Sequence, residues 1–285
     1  MTSLATELES ALFALIGSIL VVSIGWKKGF FQAPQELKKP KSPPTLLLVL
    51  IAIAIYFIMA MLVPLLFKNF LLTAGTMDAR IGKMAWATFL ISFFIFGALA
   101  IYFFLLPKPI RQYILLRKAQ FEPKKDLLFA IYAWLISFPL VLLTGTLLGL
   151  LIYFIYGTFE LPDQNAILFM KMTFGKPLYF TLAMFSVVVF APLIEETLFR
   201  GFLQSYLRSY FSPAFSIAIA SLCFTSFHYS ADQGLGNISI LGSLFLLGCF
   251  LGFLYERQQS LFAPLLLHSL FNFLSVANLY FLSAL

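Results

Sequence analysis

Eight apolar runs divide the chain, at residues 5–26, 45–67, 85–106, 127–156, 178–208, 213–230, 238–255 and 261–283. An α-helix needs about 20 apolar residues to cross a hydrocarbon core, and the runs approach or exceed that length. The fifth is longer than a span requires, so its end is expected to protrude or tilt. Between runs lie polar linkers punctuated by proline, among them "KKPKSPP" and "PKP". The pattern predicts an all-α, polytopic membrane protein of about eight transmembrane helices.

Composition strengthens that reading. The chain is 61% hydrophobic, carries 35 Phe and is only 11% charged, whereas soluble domains hold about 45–50% apolar and about 25% charged residues. In this setting a net charge of +7 gives no argument for nucleic acid, because basic residues of membrane proteins mark cytoplasmic loops. Lys27, Lys28, Lys38, Lys39, Lys41, Lys108, Arg111, Arg117, Lys118, Lys124, Lys125, Arg200, Arg208 and Arg257 lie in or beside alternate loops, fourteen of the nineteen basic residues. Lys68, Arg80, Lys83, Lys171 and Lys176 lie on the other side. With an even number of helices, this places both termini outside. The N-terminal "MTSLATELES" has two glutamates and no basic residue, so no cleavable signal is expected. Cys223 and Cys249 fall inside apolar runs, where a disulfide framework is not expected. Gly145–Gly149 and Gly248–Gly252 have the spacing that lets helices approach closely.

The stretch "APLIEETLFRG" at 191–201 then stands out. An ionisable residue at membrane depth costs a few kcal/mol or more and has a partner or a function. Glu196 and Arg200 are i, i+4 with the acid N-terminal, the favourable order for a helical ion pair. Glu195 lies about 100° round the helix from Glu196 and faces elsewhere. A carboxylate at depth without a cation has the profile of a general base.

Only two histidines exist, His228 in "CFTSFHYS" and His268 in "APLLLHSLFNF". At the helical rise, Glu195 lies about 20 Å and His228 about 22 Å from the same side of the membrane, so the two are expected to meet. His268 lies only about 10 Å into its helix and needs tilt to come level. His268 and Asn272 are i, i+4 and share a face; together they can hold a developing oxyanion or a metal.

"EETLFR" (Glu195, Glu196, Arg200), "FTSFH" (Phe224 to His228) and "HSLFN" (His268 to Asn272) match, in order, the EExxxR, FxxxH and HxxxN/B motifs. Over roughly residues 178–280 the chain resembles the CAAX protease and bacteriocin-processing family of intramembrane endopeptidases, also called the Abi family, which includes the type II CAAX prenyl endopeptidases. The resemblance implies peptide-bond hydrolysis in a helix-lined cavity. It implies Glu195 as base, His228 helping to hold the water, His268 and Asn272 stabilising the oxyanion, and Glu196 and Arg200 orienting the site, with Phe224 in support.

Two mechanisms remain open. Zinc takes N and O ligands and leaves a position for water, and Glu195, His228 and His268 would be the ligands. Glu195 would then no longer be the base, and Arg200 occupies Glu196; the count of carboxylates favours a metal-free, glutamate-activated water. The resemblance implies a membrane protein or lipidated peptide as substrate and a bacterial inner membrane as location. Residues 1–126 are read as N-terminal helices of unassigned role and 127–285 as the catalytic domain. No HExxH or GxSG stretch is present, and Asp78, Asp126, Asp163 and Asp232 lie in loops or at helix ends. A transporter would show broken helices in repeated positions; Pro64 and Pro192, in the second and fifth runs, have no matching context. A non-catalytic scaffold or immunity protein would be expected to lose a motif residue, and none is lost.

Overall fold

The computed structural model describes residues 4–32, 42–73, 75–118, 120–158 and 161–284. Lys38, Lys39 and Lys41 of the first basic linker fall outside them. All eight apolar runs form helices: α1 (Leu4–Lys27), α2 (Leu46–Leu66), α4 (Met77–Leu105), α6 (Pro123–Tyr156), α8 (Pro177–Leu207), α9 (Pro213–Ser226), α10 (Gly236–Gln258) and α11 (Phe262–Ala284). Short helices α3 (Lys68–Leu72), α5 (Lys108–Leu115) and α7 (Asn165–Met172) join them. The described residues contain no strand, only an antiparallel bridge between Leu116 and Ser260. The chain is an all-α, multi-pass membrane protein.

Local chemistry explains several boundaries. Thr45, Thr76 and Ser212 each accept an N–H of the first turn they precede, from Leu48, Ala79 and Phe215, as N-caps do. Thr76 and Asp78 together start α4 at Met77, earlier than its apolar run, because the acid favours the positive end of the helix. Gly157, at φ 72°, closes α6. Pro139 lies inside α6, a third intrahelical proline besides Pro64 and Pro192.

Among the described residues seven helices, not eight, are long and apolar enough to cross a membrane. The exception, α9, has 14 residues, about 21 Å of helix. It nevertheless carries the chain from one end of the bundle toward the other. Arg208, just past α8, bonds Glu256 near the end of α10 at 3.2 Å, so α8 and α10 finish at the same end. The intervening α9 and the turn after it return the chain between them.

Small side chains recur in the bundle interior beside large ones such as Phe202, Phe224 and Tyr255. Ala52, Ala85, Ala130, Ala133, Ala183, Ala220 and Ala263 are wholly buried, while Phe13, Met61 and Leu105 are more than 70% exposed. Large apolar side chains gain little by leaving lipid for protein, so close backbone packing and polar contacts hold such helices together. Of the two GxxxG pairs, Gly248 and Gly252 make the tighter approach. A Cβ at 252 would lie 2.8 Å from Gln204 Oε1, and one at 248 would lie 3.1 Å from Ser221 Cβ. At Gly149 nothing lies within 4 Å.

A second polar network ties the ends of the helices. Arg117 Nη1 bonds both oxygens of Glu256 at 3.1 Å, and Nη2 donates to Ser205 Oγ at 2.9 Å. Gln204 Nε2 donates to Glu256 Oε1 at 2.9 Å. The buried Tyr255 hydroxyl donates to Ile114 O at 2.8 Å. The Arg117 guanidinium stacks over the rings of Tyr113 and Tyr255 at 4.6 and 4.1 Å. Burial pushes the Tyr113 phenol up to about 12, against the lowering effect of Arg117. The linker after α5 therefore covers the α10–α11 turn: Arg117 N donates to Gln259 O, and Leu261 N to Leu115 O.

A Gly252→Val substitution should overpack the contact with Gln204 and Ile217 and cost about 1–3 kcal/mol. Thermal unfolding in detergent should show a lowered midpoint, whereas Gly149→Ala should leave the midpoint unlowered.

Candidate active site

Three helices and one turn build the site. In α8 the regular turns at Ala191–Glu196 are bracketed by two π-helical segments, Ser186–Phe190 and Thr197–Gln204. Such widened turns are rare and concentrate at functional sites. Glu195 and Glu196 lie on the short α-helical piece between them, about 100° apart. Phe224 comes from α9, His228 from the turn after it, and His268 and Asn272 from α11.

Glu196 and Arg200 are fully buried and bonded, Nη1 to Oε1 at 2.8 Å. Arg200 Nη2 donates to the Gly248 carbonyl at 3.1 Å. The Phe224 ring lies under the guanidinium, 4.7 Å from ring centre to Cζ, and also borders His228 and His268, at 4.8 and 5.8 Å between centroids. The Phe of the second motif is thus the shared apolar wall of three polar groups.

The same oxygen, Glu196 Oε1, also accepts from His268 Nδ1 at 2.8 Å. Because an ionised carboxylate only accepts, His268 must carry its proton on Nδ1. His228 Nδ1 faces the Phe224 carbonyl at 3.0 Å, and a carbonyl likewise only accepts. With Nδ1 as the donor, the neutral form of either ring leaves Nε2 as an acceptor. Both Nε2 atoms face Glu195 Oε2, at 3.9 Å from His228 and 3.8 Å from His268. That oxygen is itself buried and has no hydrogen-bond partner. Both imidazole nitrogens thus face one carboxylate oxygen from beyond direct bonding distance, where a donor such as water can stand between.

A metal fits these atoms poorly. Zinc bonds of about 2.0–2.1 Å in a tetrahedron put neighbouring ligand atoms about 3.3 Å apart, closer than the 3.8 and 3.9 Å observed. Among the described residues no group of three His, Cys, Asp or Glu is arranged to hold an ion.

The sequence reading differs in detail. His228 was expected within the sixth helix, yet α9 ends at Ser226, and His228 lies in a turn closed by its N–H to Thr225 O at 2.9 Å. His268, expected too shallow, is level with Glu195. The reason is the α10–α11 turn, which is buried beneath the segment after α5: Ser260 is 0% and Leu261 6% exposed. Helix α11 therefore starts below the end of the bundle. Asn272 stands one turn beyond His268, and its Nδ2 donates to the Val187 carbonyl at 2.8 Å.

Sequence reasoning left α2 without a role. Its Tyr56 and Phe57 rings pack on Phe227, next to His228, at 5.5 and 5.4 Å. The carbonyls of Gly248 and Val187 were also missed. A main-chain acceptor leaves no mark in composition; only the Gly248–Gly252 spacing hinted that a backbone comes close there.

Residues 177–274 match the family described as type II CAAX prenyl endopeptidase Rce1-like. The match takes in every residue of the three motifs and supports an endopeptidase at the level of class. No curated protein and no solved structure matches the chain.

Removing the cation by Arg200→Met should leave Glu196 charged and buried, a loss on the order of 3–5 kcal/mol. Arg200→Lys should recover only part of it, since a single ammonium replaces a fork that serves Glu196 and Gly248 together. Thermal unfolding in detergent, with the folded fraction followed by gel filtration, measures both.

Proposed function

From a CAAX-endopeptidase-like stretch within a multi-pass membrane protein, we propose an intramembrane endopeptidase that hydrolyses a peptide bond of a membrane-associated or lipidated protein. The observation that carries this reading is the convergence of Glu195 Oε2, His228 Nε2 and His268 Nε2. Water is the donor that suits three acceptors. It gives one hydrogen to Glu195 and one to an imidazole, and its lone pair is left for the scissile carbonyl.

Glu195 takes the proton as water attacks, a general-base role worth about 10²–10⁴ in rate. His228, held by the Phe224 carbonyl, keeps the water in place. His268 is oriented by Glu196 through Nδ1, as a carboxylate orients the imidazole of a hydrolytic triad. The proton that Glu195 takes from water goes on to the leaving amide nitrogen as the tetrahedral intermediate collapses, and His268 Nε2, 3.8 Å from Glu195 Oε2, is placed to relay it. Asn272 donates an amide hydrogen to the Val187 carbonyl and so holds the helix that carries His268 against α8. Arg200 bonds the same Glu196 oxygen that His268 Nδ1 meets and so fixes the position of the group that orients the imidazole. The mechanism needs no metal step. The basic end of the bundle, with Arg117, Lys118, Arg208 and Arg257, is assigned to the cytoplasmic face of a bacterial inner membrane.

Glu195→Gln should lower cleavage of a reconstituted membrane substrate by at least about 100-fold with the thermal midpoint unchanged. Retained cleavage would overturn the assignment. Chelator treatment should leave the wild-type rate unaltered; loss on chelation and return with zinc would instead make the three convergent atoms metal ligands.

A further inference from the structure

Asn272 lies one turn beyond His268, on the helix that packs against the π-helical part of α8. Its Nδ2 is 2.8 Å from the Val187 carbonyl. The question is why that carbonyl is available, since carbonyls inside a helix are normally taken by the helix itself.

Pro192 supplies the answer. In the π-helical segment the Ala191 N–H reaches back to Ser186 O, five residues away. In that register the Val187 carbonyl pairs with the N–H of residue 192, which is proline and has none. In ordinary α register it would pair with Ala191 N–H, already given to Ser186. Either way no donor of its own helix is left for Val187 O. At this depth no lipid can supply one, and an unsatisfied carbonyl in hydrocarbon costs several kcal/mol.

We infer that Pro192 and Asn272 form a two-part clamp: proline vacates the Val187 carbonyl, and the Asn272 amide of α11 takes it, fixing α8 against α11. The segment fixed is the one that matters. Pro192 lies three residues before Glu195 and four before Glu196, and Asn272 lies four after His268. The clamp therefore joins the two helices whose side chains meet as Glu196 Oε1 and His268 Nδ1 at 2.8 Å and as Glu195 Oε2 and His268 Nε2 at 3.8 Å. By this assignment Asn272 and Pro192 are positioning residues, acting through the Val187 carbonyl on the separation of base and imidazole. The inference rests on the protease reading for its kinetic consequence and on hydrogen bonding alone for its structural one.

A proline-to-alanine exchange restores the missing N–H, so the clamp has a built-in test. In the wild-type background Asn272→Ala should lower kcat by about 10–100-fold, the scale expected when reacting groups shift by an ångström, with KM little changed. In a Pro192→Ala background the helix satisfies Val187 O by itself. There Asn272→Ala should cost less than about threefold, so the two substitutions are strongly non-additive. If instead Asn272 acts by donating to the oxyanion, its loss will be equal in both backgrounds, and the clamp is overturned as the source of the effect. Hydrogen exchange of residues 187–195, measured by mass spectrometry on the Glu195→Gln protein, gives a readout without turnover. Asn272→Ala should speed exchange there at least tenfold, and adding Pro192→Ala should reverse it; unchanged exchange on loss of Asn272 would also overturn the clamp. Active Glu195→Gln protein, by contrast, would remove the protease reading and leave the exchange result standing.

Discussion

Arg200 carries its charge where no water reaches it, and its neighbours are each an answer to that constraint. Glu196 supplies the counter-charge, the Gly248 carbonyl takes a second donor, and Phe224 offers its ring face. A glycine at 248 is part of the answer, because a side chain there would press on Ser221 and Phe224. The Glu196 oxygen that Arg200 bonds also accepts from His268, and that bond fixes which nitrogen of the ring looks toward Glu195. A buried ion pair is no great source of stability by itself. What it gives here is a single arrangement of α8, α9, α10 and α11, since any other leaves a charge uncompensated in a medium that cannot solvate it.

The end of the bundle repeats the idea with different consequences. Glu256 is shared by Arg117, Arg208 and Gln204, and the Tyr255 hydroxyl bonds Ser205 and Ile114. These bonds pin the linker after α5 over the α10–α11 turn. Because the turn is pressed inward, His268 reaches the depth of Glu195 although few residues precede it in its helix. The depth of His268 is thus set by a network at the start of its helix.

The N-terminal helices are bound into the same structure. Val49, Ala52, Ile95 and Leu99 share an apolar cluster with Ile194, Leu198, Phe199, Phe202 and Phe224. Phe30 of the first linker packs with Ala130, Ala133 and Leu254. Tyr56 and Phe57 close one side of the turn that bears His228. The family match begins only at residue 177, so these contacts come from a part of the chain that it does not cover.

The sequence by itself determined the helices and the chemistry. Helix positions follow from runs of apolar residues, because a bilayer admits almost nothing else, and the eight runs and eight helices agree to within a few residues at most ends. The pairing of Glu196 with Arg200, and the turning of Glu195 away from it, followed from helical geometry, since both are local. Tertiary structure decided the rest, because it depends on contacts distant in sequence. It showed that His228 belongs to a turn, that His268 is level with Glu195, that Glu196 and His268 are bonded, and that α2 borders the site. It alone brought the carbonyls of Gly248 and Val187 to the side chains of Arg200 and Asn272. Main-chain acceptors are the same at every residue, so no sequence distinguishes the one that a distant side chain will seek.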